Sequence, residues 1–302
     1  MIIHAHAYPR AGLIGNPSDG YFGRTIAFTF SNFKAEVTLY ETPELEILPR
    51  DRDLSRFDSL EDLVRDVRLH GYYGGIRLLK AAIKRFHSHC SKNGIELHDR
   101  NFTIRYASDI PQQVGLAGSS AIITACMRAL CRFYKVSIPR PDFANLVLSV
   151  ETRELGIPAG LQDRVAQAYD GLVYMDFDRD LMEKQGYGNY QPLDLASLPD
   201  LYIAYRTERS EGTEVFHNNI RARWERGEPQ VVEAMKTWAG LTVQVRDLLL
   251  AGRGREIGPV LDANFDLRRS IYQIGSGNVH MVDVARSVGA SAKFTGSGGA
   301  IV

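Results

Sequence analysis

A run of small residues at 111–121, reading PQQVGLAGSSA, leaves its backbone unusually accessible. It follows an apolar alternating stretch at 101–107 and precedes a helical pattern from Ser119 to about Tyr134. Backbone N–H groups in such a turn can surround an anion, and the helix behind it directs the positive end of its dipole to the same place. These residues therefore predict a phosphate-binding loop, which we call the central loop.

Two more glycine-rich segments lie far away in sequence, the first glycine segment at 10–23 and the third glycine segment at 295–300. Each alone is more typical of a turn than of a phosphate contact. The central loop lacks the Lys-Ser/Thr ending of a Walker loop, and it does not match the dinucleotide-binding fingerprint. Other residues must then supply the cation and the metal ligand.

Hydrophobic periodicity indicates the elements that position these segments. Residues 2–7 read as a strand, residues 24–41 as two consecutive antiparallel strands, and the first glycine segment as a loop. The polar stretch at 178–199 is the expected domain junction. Helices are expected from near Leu60, from about Tyr73 to Gly94, and over 143–155, 214–224, 229–250, 257–272 and 279–288, with further strands at 171–177 and 201–206.

Composition limits the class of protein. The 302 residues are 44% hydrophobic and 24% charged, which is typical of a globular protein of one or two domains. Lys+Arg and Asp+Glu both number 36, so neither a nucleic-acid nor a membrane surface is indicated. Three cysteines suit no disulfide framework or zinc site, and no apolar run approaches the ~20 residues of a membrane span. A reducing cytoplasm is the expected compartment.

Three ordered motifs carry a resemblance to a known family. PRAGLIGNPSD, VGLAGSSA and FTGSGGA are similar, in this order, to the three motifs of the GHMP kinases, which include galactokinase, homoserine kinase and mevalonate kinase. The combination of GNPSDGYFGRT, GYYGG, GLAGSSAI and AGLQDRVAQ most resembles the glucuronokinase branch. The resemblance spans essentially the whole chain.

The resemblance implies an α+β, two-domain GHMP-kinase-like fold. Residues 1–195 would form an N-terminal ribosomal-protein-like α/β domain that binds ATP and sugar. Residues 196–302 would form a C-terminal ferredoxin-like α+β domain, expected to be incomplete because relatives continue past the third motif with a helix and a strand.

The resemblance also assigns catalytic and metal-binding roles. Asp163 would accept the proton of the attacking hydroxyl, and Arg10 would stabilise charge on the transferring phosphoryl group. Glu151 and Ser120 would bind Mg²⁺, a cation that accepts few protein oxygens and relies on substrate phosphates. The ATP-binding residues would be Pro111, Gln112, Gln113, Val114, Gly115, Leu116, Ala117, Gly118, Ser119, Ser120 and Ala121, with Gly296, Ser297 and Gly298.

The implied reaction is ATP-dependent phosphorylation of D-glucuronate to its 1-phosphate. Asp19 matches the aspartate that holds sugar hydroxyls in galactokinase, whereas Asn16 stands where galactokinase has glutamate, which disfavours galactose. A sugar carboxylate requires a cationic partner, and Arg24 and Arg164 are the candidates, although a structural ion pair is the commoner role of such arginines. The partners would be ATP and a small sugar acid, with neither nucleic acid nor membrane. The alternatives are another sugar 1-kinase (galacturonate, arabinose or galactose type) and a non-catalytic sensor of the same fold.

Overall fold

The computed structural model describes residues 1–50, 53, 74–207 and 214–302, with the backbone alone at 214–219. The chain divides into two compact units, and each unit is made of three segments that alternate along the sequence. Unit 1 comprises Met1–Pro9, Ser31–Ile110 and Ala117–Ala168, and unit 2 comprises Arg10–Phe30, Pro111–Leu116 and Tyr169–Val302. The central loop therefore starts in unit 2 and ends in unit 1.

Unit 1 contains a four-stranded sheet in the order β1-β4-β6-β5. The register of β1 on β4 pairs Ile2 with Tyr40 and Ala7 with Ala35, and the buried face of β1 carries Ile3, Ala5 and Ala7. Strand β5 pairs with β6 in parallel, and the other neighbours are antiparallel. The strands are β1 (Ile2–Ala7), β4 (Ala35–Thr42), β5 (Glu46–Ile47) and β6 (Asn101–Ser108).

Helices cover one face of this sheet. Helix α2 packs against β1, β4 and α1, and it buries Phe133 with the aromatic ring of Phe102 from β6. The helices are α1 (Gly75–Lys92), α2 (Gly118–Tyr134), α3 (Arg140–Ser149), which continues into a π-helical turn (Val150–Glu154), and α4 (Leu161–Tyr169).

Unit 2 is built on an antiparallel sheet in the order β2-β3-β7-β8. Helix α7 packs on β3 and on α8, and apolar residues of this sheet form one core with Val245, Leu249 and Leu261. Strands β9 and β10 form a separate, two-stranded antiparallel sheet in this unit. The strands are β2 (Arg10–Ile14), β3 (Arg24–Thr29), β7 (Leu172–Asp176), β8 (Asn189–Leu193), β9 (Ala204–Tyr205) and β10 (Ala300–Ile301), and the helices are α5 (Arg179–Gln185), α6 (Glu214–Glu225), α7 (Pro229–Leu250), α8 (Gly258–Ile271) and α9 (Ser276–Ser287).

Three expectations from periodicity are corrected. Residues 10–14, expected in a loop, form the fully buried strand β2, because pairing with β3 satisfies a backbone that shows no alternation. Strands β3 and β4 exist, but they belong to different sheets and do not pair with each other. The polar stretch at 178–199 is partly regular, since it contains α5 and β8. The helix expected near Leu60 lies outside the described residues.

The expected domain boundary after residue 195 falls inside unit 2, and the assignment of family domains to 1–195 and 196–302 stays a prediction. In the part of the chain that the structure describes, no helix is long and apolar enough to cross a membrane.

Candidate active site

Every second residue of the central loop from Gln113 to Ala117 has a left-handed backbone. Gln113, Gly115 and Ala117 have φ values of 59°, 71° and 61°. Left-handed residues at every second position turn successive N–H groups toward one side, which is the geometry of an anion-binding nest. These left-handed residues are consistent with the phosphate-binding loop predicted from the sequence.

Helix α2 begins directly after this turn. Ala117 occupies its N-cap position and offers no side-chain hydrogen bond to the helix. The first intrahelical bond runs from Ala121 N to Ala117 O at 3.1 Å, so the N–H groups of Gly118, Ser119 and Ser120 precede the helical ladder. An anion at this position would satisfy these donors and meet the positive end of the helix dipole.

Ser120 is held by a buried amide from α4. Its Oγ lies 2.7 Å from Oε1 of Gln167 and 3.1 Å from Ala117 O. Nε2 of Gln167 donates to Ala117 O and to Tyr8 O, both at 3.0 Å. Gln167 therefore links the first turn of α2, the end of the central loop and the residue after β1.

Glu151 lies in the π-helical turn that follows α3 and is 3% exposed. Local side-chain bonds accompany this departure from the α-helix, since Ser149 Oγ donates to Leu146 O at 2.7 Å and Thr152 Oγ1 to Leu148 O at 3.0 Å. A π-turn shifts the helix by one residue, and such turns are frequent at functional sites. Here the turn carries a carboxylate into the interior of unit 1.

Arg164 lies between Asp163, the predicted base, and Glu151, the predicted metal ligand. Its Nε donates to Glu151 Oε2 at 2.9 Å, and its Nη2 contacts the same oxygen. Its Nη1 lies 3.2 Å from Asp163 Oδ2 and donates to Gly160 O at 2.9 Å. In unit 1, helix α4 thus carries Asp163 and contacts both Glu151, through Arg164, and Ser120, through Gln167. Arg164 itself has the contacts of a structural ion-pair partner.

In unit 2, Arg10 joins all three glycine-rich segments. Its backbone N–H donates to Leu116 O at 3.1 Å, and its Nη1 donates to Thr295 O at 2.6 Å and to Gly115 O at 3.3 Å. Gly296 approaches so closely that an added Cβ would lie 2.6 Å from Gly115 O. The structure therefore brings the first glycine segment, residues 111–116 and the third glycine segment together.

Asn16 and Lys293 complete this contact. Lys293 is 1% exposed, and its Nζ donates to Gly12 O and Asn16 Oδ1, both at 2.8 Å, and to Phe294 O at 2.5 Å. Nδ2 of Asn16 donates to Gly296 O at 3.4 Å. Asn16, a predicted sugar ligand, thus has structural partners at both ends of its amide.

The two remaining predicted substrate residues of unit 2 differ in surroundings. Arg24 pairs with Asp176 at 2.7 Å, and this hydrogen bond raises the pKa of the Arg24 guanidinium. Asp19 lies in the 3-10 turn Ser18–Tyr21. Arg24 therefore has the ion-pair role that is common for such arginines, and the substrate roles of both residues stay predictions.

The donor atoms fit a magnesium ion chemically, although Ser120 and Glu151 differ in availability. Both contacts of Ser120 Oγ are with acceptors, so they use its proton and not its lone pairs. The Glu151 carboxylate is already paired with Arg164. Among the described residues no cluster of three or more His, Cys, Asp or Glu side chains could hold a metal. A metal here would depend on nucleotide phosphates for further ligands.

Sequence reasoning missed several buried polar residues around these segments. Gln167 lies on α4, and nothing in the local sequence marks its side chain as buried and bonded to the central loop. Lys293 lies two residues before the third glycine segment, and this proximity is a usable signal. Arg268 on α8 donates from Nη1 to Gly296 O at 2.8 Å and from Nη2 to Ser297 O at 3.3 Å.

This fold and the three glycine-rich segments fit a kinase of the GHMP class. A family model described as the GHMP kinases N terminal domain matches residues 77–171. The solved structure of mevalonate kinase from Methanococcus jannaschii superposes with a TM-score of 0.70 at 21% identity, covering 100% of this chain and 90% of that one. The predicted mixed α+β fold is thereby confirmed.

Two relatives of higher identity come from Arabidopsis thaliana. "Probable glucuronokinase 2" is 46% identical, covering 100% of this chain and 84% of the relative. "Glucuronokinase 1" is 45% identical, covering 99% of this chain and 84% of the relative. The chain belongs to the GHMP kinase family, as its motifs predict, and it is similar to the members named glucuronokinase.

Proposed function

We propose that the protein transfers the γ-phosphoryl group of ATP to the anomeric hydroxyl of D-glucuronate and forms D-glucuronate 1-phosphate. The observation that carries this proposal is the identity of 46% and 45% with two proteins named as glucuronokinases, which extends over the whole chain. Identity at this level over all motifs supports a shared substrate more strongly than the fold does, because one fold serves many substrates.

The chain's own residues would act mainly by positioning and by charge. The nest at 113–117 and the first N–H groups of α2 would hold phosphate oxygens, and Arg10 would fix the segments that surround them. Asp163 would accept the proton of the sugar hydroxyl as the phosphoryl group is transferred. Mg²⁺, held by Ser120 and Glu151, would offset the negative charge of the phosphates.

A coupled assay of ADP release tests the substrate. The panel contains glucuronate, galacturonate, glucose, galactose and arabinose, with a sugar-free reaction to subtract ATP hydrolysis. We expect the highest kcat/KM with glucuronate, and phosphorus NMR of the product should show coupling to the anomeric proton. Preference for a neutral sugar, or phosphate at another hydroxyl, would overturn the proposal.

A further inference from the structure

Helix α8 carries a row of buried polar residues on one face. Asn264, Arg268 and the C-cap residue Tyr272 are spaced by four, so they lie one above another along the helix. They are 1%, 4% and 8% exposed. We call them the α8 polar row.

Two atoms of this row lack partners. Nδ2 of Asn264 and the hydroxyl of Tyr272 are buried and make no hydrogen bond within the described residues. The other polar atoms of Asn264 are satisfied, since Oδ1 accepts from Gly15 N at 2.9 Å and its carbonyl accepts from Trp238 Nε1 at 3.1 Å. Buried polar groups in native proteins are almost always hydrogen-bonded, so two buried polar atoms without a hydrogen bond along one helix face indicate a ligand-binding position.

Arg268, between these two residues, is a buried cation. Its guanidinium lies 5.2 Å from the centre of the Tyr272 ring and 5.1 Å from that of Phe294. Its acceptors in the described part of the chain are the carbonyls of Gly296 and Ser297, and no carboxylate there forms an ion pair with it. A buried charge is costly unless it is paired at short range, and the Asp19 carboxylate acts on Arg268 electrostatically without forming an ion pair with it, so the position favours an anion.

The surroundings favour a sugar acid over a bare phosphate. The ring of Tyr21 lies 5.3 Å from that of Trp224, and both pack on the apolar cluster that contains Tyr272. Tyr21 ends the 3-10 turn that carries Asp19, the predicted ligand of sugar hydroxyls. Aromatic walls suit the apolar faces of a pyranose, and a planar guanidinium fork suits a carboxylate.

We propose that Arg268 binds the carboxylate of the sugar acid, with the Tyr272 hydroxyl as a second donor. This assignment rests on the proposed function and deepens it, because it names the residues that select a uronic acid over a neutral sugar. Burial raises the pKa of the Tyr272 phenol, which keeps the hydroxyl protonated and able to donate. Arg24 and Arg164, the candidates from sequence, are already paired with acids.

Two variants test the assignment. Tyr272→Phe removes one oxygen that makes no hydrogen bond to the described residues, so it should leave folding intact. We expect it to raise KM for glucuronate by about tenfold, which corresponds to the loss of one hydrogen bond to a charged group, while kcat/KM for glucose and KM for ATP stay within about threefold.

Arg268→Lys loses the planar guanidinium fork and should lower the preference for glucuronate over glucose by about a hundredfold. Arg246→Lys and Tyr174→Phe are the matched controls, because the Arg246 guanidinium lies 4.9 Å from the centre of the Tyr174 ring in the same unit. Neither control should change KM for glucuronate or the preference for glucuronate over glucose.

The same variants separate the competing explanations. If Arg268 instead anchors the third glycine segment or binds nucleotide phosphate, KM for ATP rises and the preference between acid and neutral sugar is unchanged, which overturns the assignment. Calorimetric binding of glucuronate and glucose, with a non-hydrolysable ATP analogue present, separates recognition from turnover. Wild-type protein that binds glucuronate through Arg268 and Tyr272 without phosphorylating it would overturn the proposed reaction alone. Wild-type protein that binds no uronic acid would overturn both proposals.

Discussion

Oγ of Ser120 donates a hydrogen bond to Oε1 of Gln167 at 2.7 Å, and the two residues lie on different helices of unit 1. The other end of the same amide holds the carbonyl of Ala117, whose φ of 61° is unfavourable for an L-residue with a side chain. One buried side chain thus stabilises the left-handed turn at the start of α2 and fixes the direction of the serine proton. We therefore expect Gln167 to position Ser120, the predicted metal ligand, and the start of α2.

Gln167→Glu should weaken nucleotide binding. The new side chain has the same shape, but it replaces two N–H donors with an acceptor that faces the carbonyls of Ala117 and Tyr8. We expect a loss of about 2–3 kcal/mol in the free energy of unfolding and a rise of about tenfold in KM for ATP at fixed magnesium. Gln185→Glu is the matched control, because Gln185 donates to Tyr187 O at 3.0 Å on the exposed surface. Unchanged ATP affinity in Gln167→Glu would show that Gln167 does not support nucleotide binding.

Asp163→Asn should abolish turnover and spare nucleotide affinity. The amide cannot accept the proton of the sugar hydroxyl, and general-base contributions are commonly about 10²–10⁴ in rate. We expect kcat to fall by about that factor, with the dissociation constant for ATP within severalfold. Asp142→Asn, in the first turn of α3 as Asp163 is in the first turn of α4, controls for the loss of a helix N-terminal charge. Normal turnover would show that Asp163 is not the base.

Arg164→Met should destabilise the protein far more than Arg24→Met. Arg164 and Glu151 have side chains only 6% and 4% exposed, so removal of the cation leaves a buried carboxylate unpaired, at a cost of about 3–5 kcal/mol. The pair between Arg24 and Asp176 is 38% and 19% exposed, and its loss should cost less than about 1 kcal/mol. Urea unfolding compares the two variants. A stable Arg164→Met variant with a raised KM for glucuronate would instead support the substrate role predicted from sequence.

Two glycines should separate nucleotide binding from folding. A Cβ on Gly118 would meet only Ile110 Cγ2 at 3.4 Å, whereas a Cβ on Gly296 would lie 2.6 Å from Gly115 O. Gly118→Ala should therefore keep the unfolding temperature but raise the dissociation constant for ATP by about tenfold, because we expect a side chain at the first residue of α2 to crowd the approach of a phosphate. Gly296→Ala should lose about 1–3 kcal/mol of stability from overpacking. Full ATP affinity in Gly118→Ala would contradict the phosphate-binding role of the central loop.

The outcome of the sequence predictions follows from what each pattern can specify. Periodicity predicts a helix over 229–250, and α7 has these bounds, since a long amphipathic pattern fixes its own local structure. Alternation in β3 and β4 indicates strands but not their partners, and each strand pairs in a different sheet. Strand β2 is not predicted because all five of its residues are buried, so it shows no alternation, and because glycine and proline residues follow it closely in the sequence.

The site shows the same limit at the level of single residues. Motif order identifies the family and the three glycine segments, because those depend on local backbone chemistry. The partners of Gln167 and Arg268 do not follow from local sequence, since they lie 28 to 159 residues away. Buried polar contacts of this kind are fixed by tertiary packing, and only coordinates reveal them.

Lys293 gives a prediction about pH. Burial is the main cause that lowers the pKa of its ammonium well below 10.5, and the nearby guanidinium groups of Arg268 and Arg10 lower it further. The unfolded chain therefore binds more protons at this lysine than the folded chain does. Stability rises with pH wherever the unfolded state holds more protons, so this lysine should make the protein more stable as pH increases toward 10.5.

Lys293→Met isolates this effect. The variant leaves Gly12 O, Asn16 Oδ1 and Phe294 O without their donor, so it should be less stable than wild type near neutral pH. The informative quantity is the difference in unfolding free energy between wild type and variant, because other titrating groups contribute equally to both. We expect this difference to grow from pH 7 to pH 10 in urea titrations at a series of pH values. A difference that stays constant over that range would mean that the folded protein holds the Lys293 proton as firmly as the unfolded chain does, with its three acceptors compensating fully for burial.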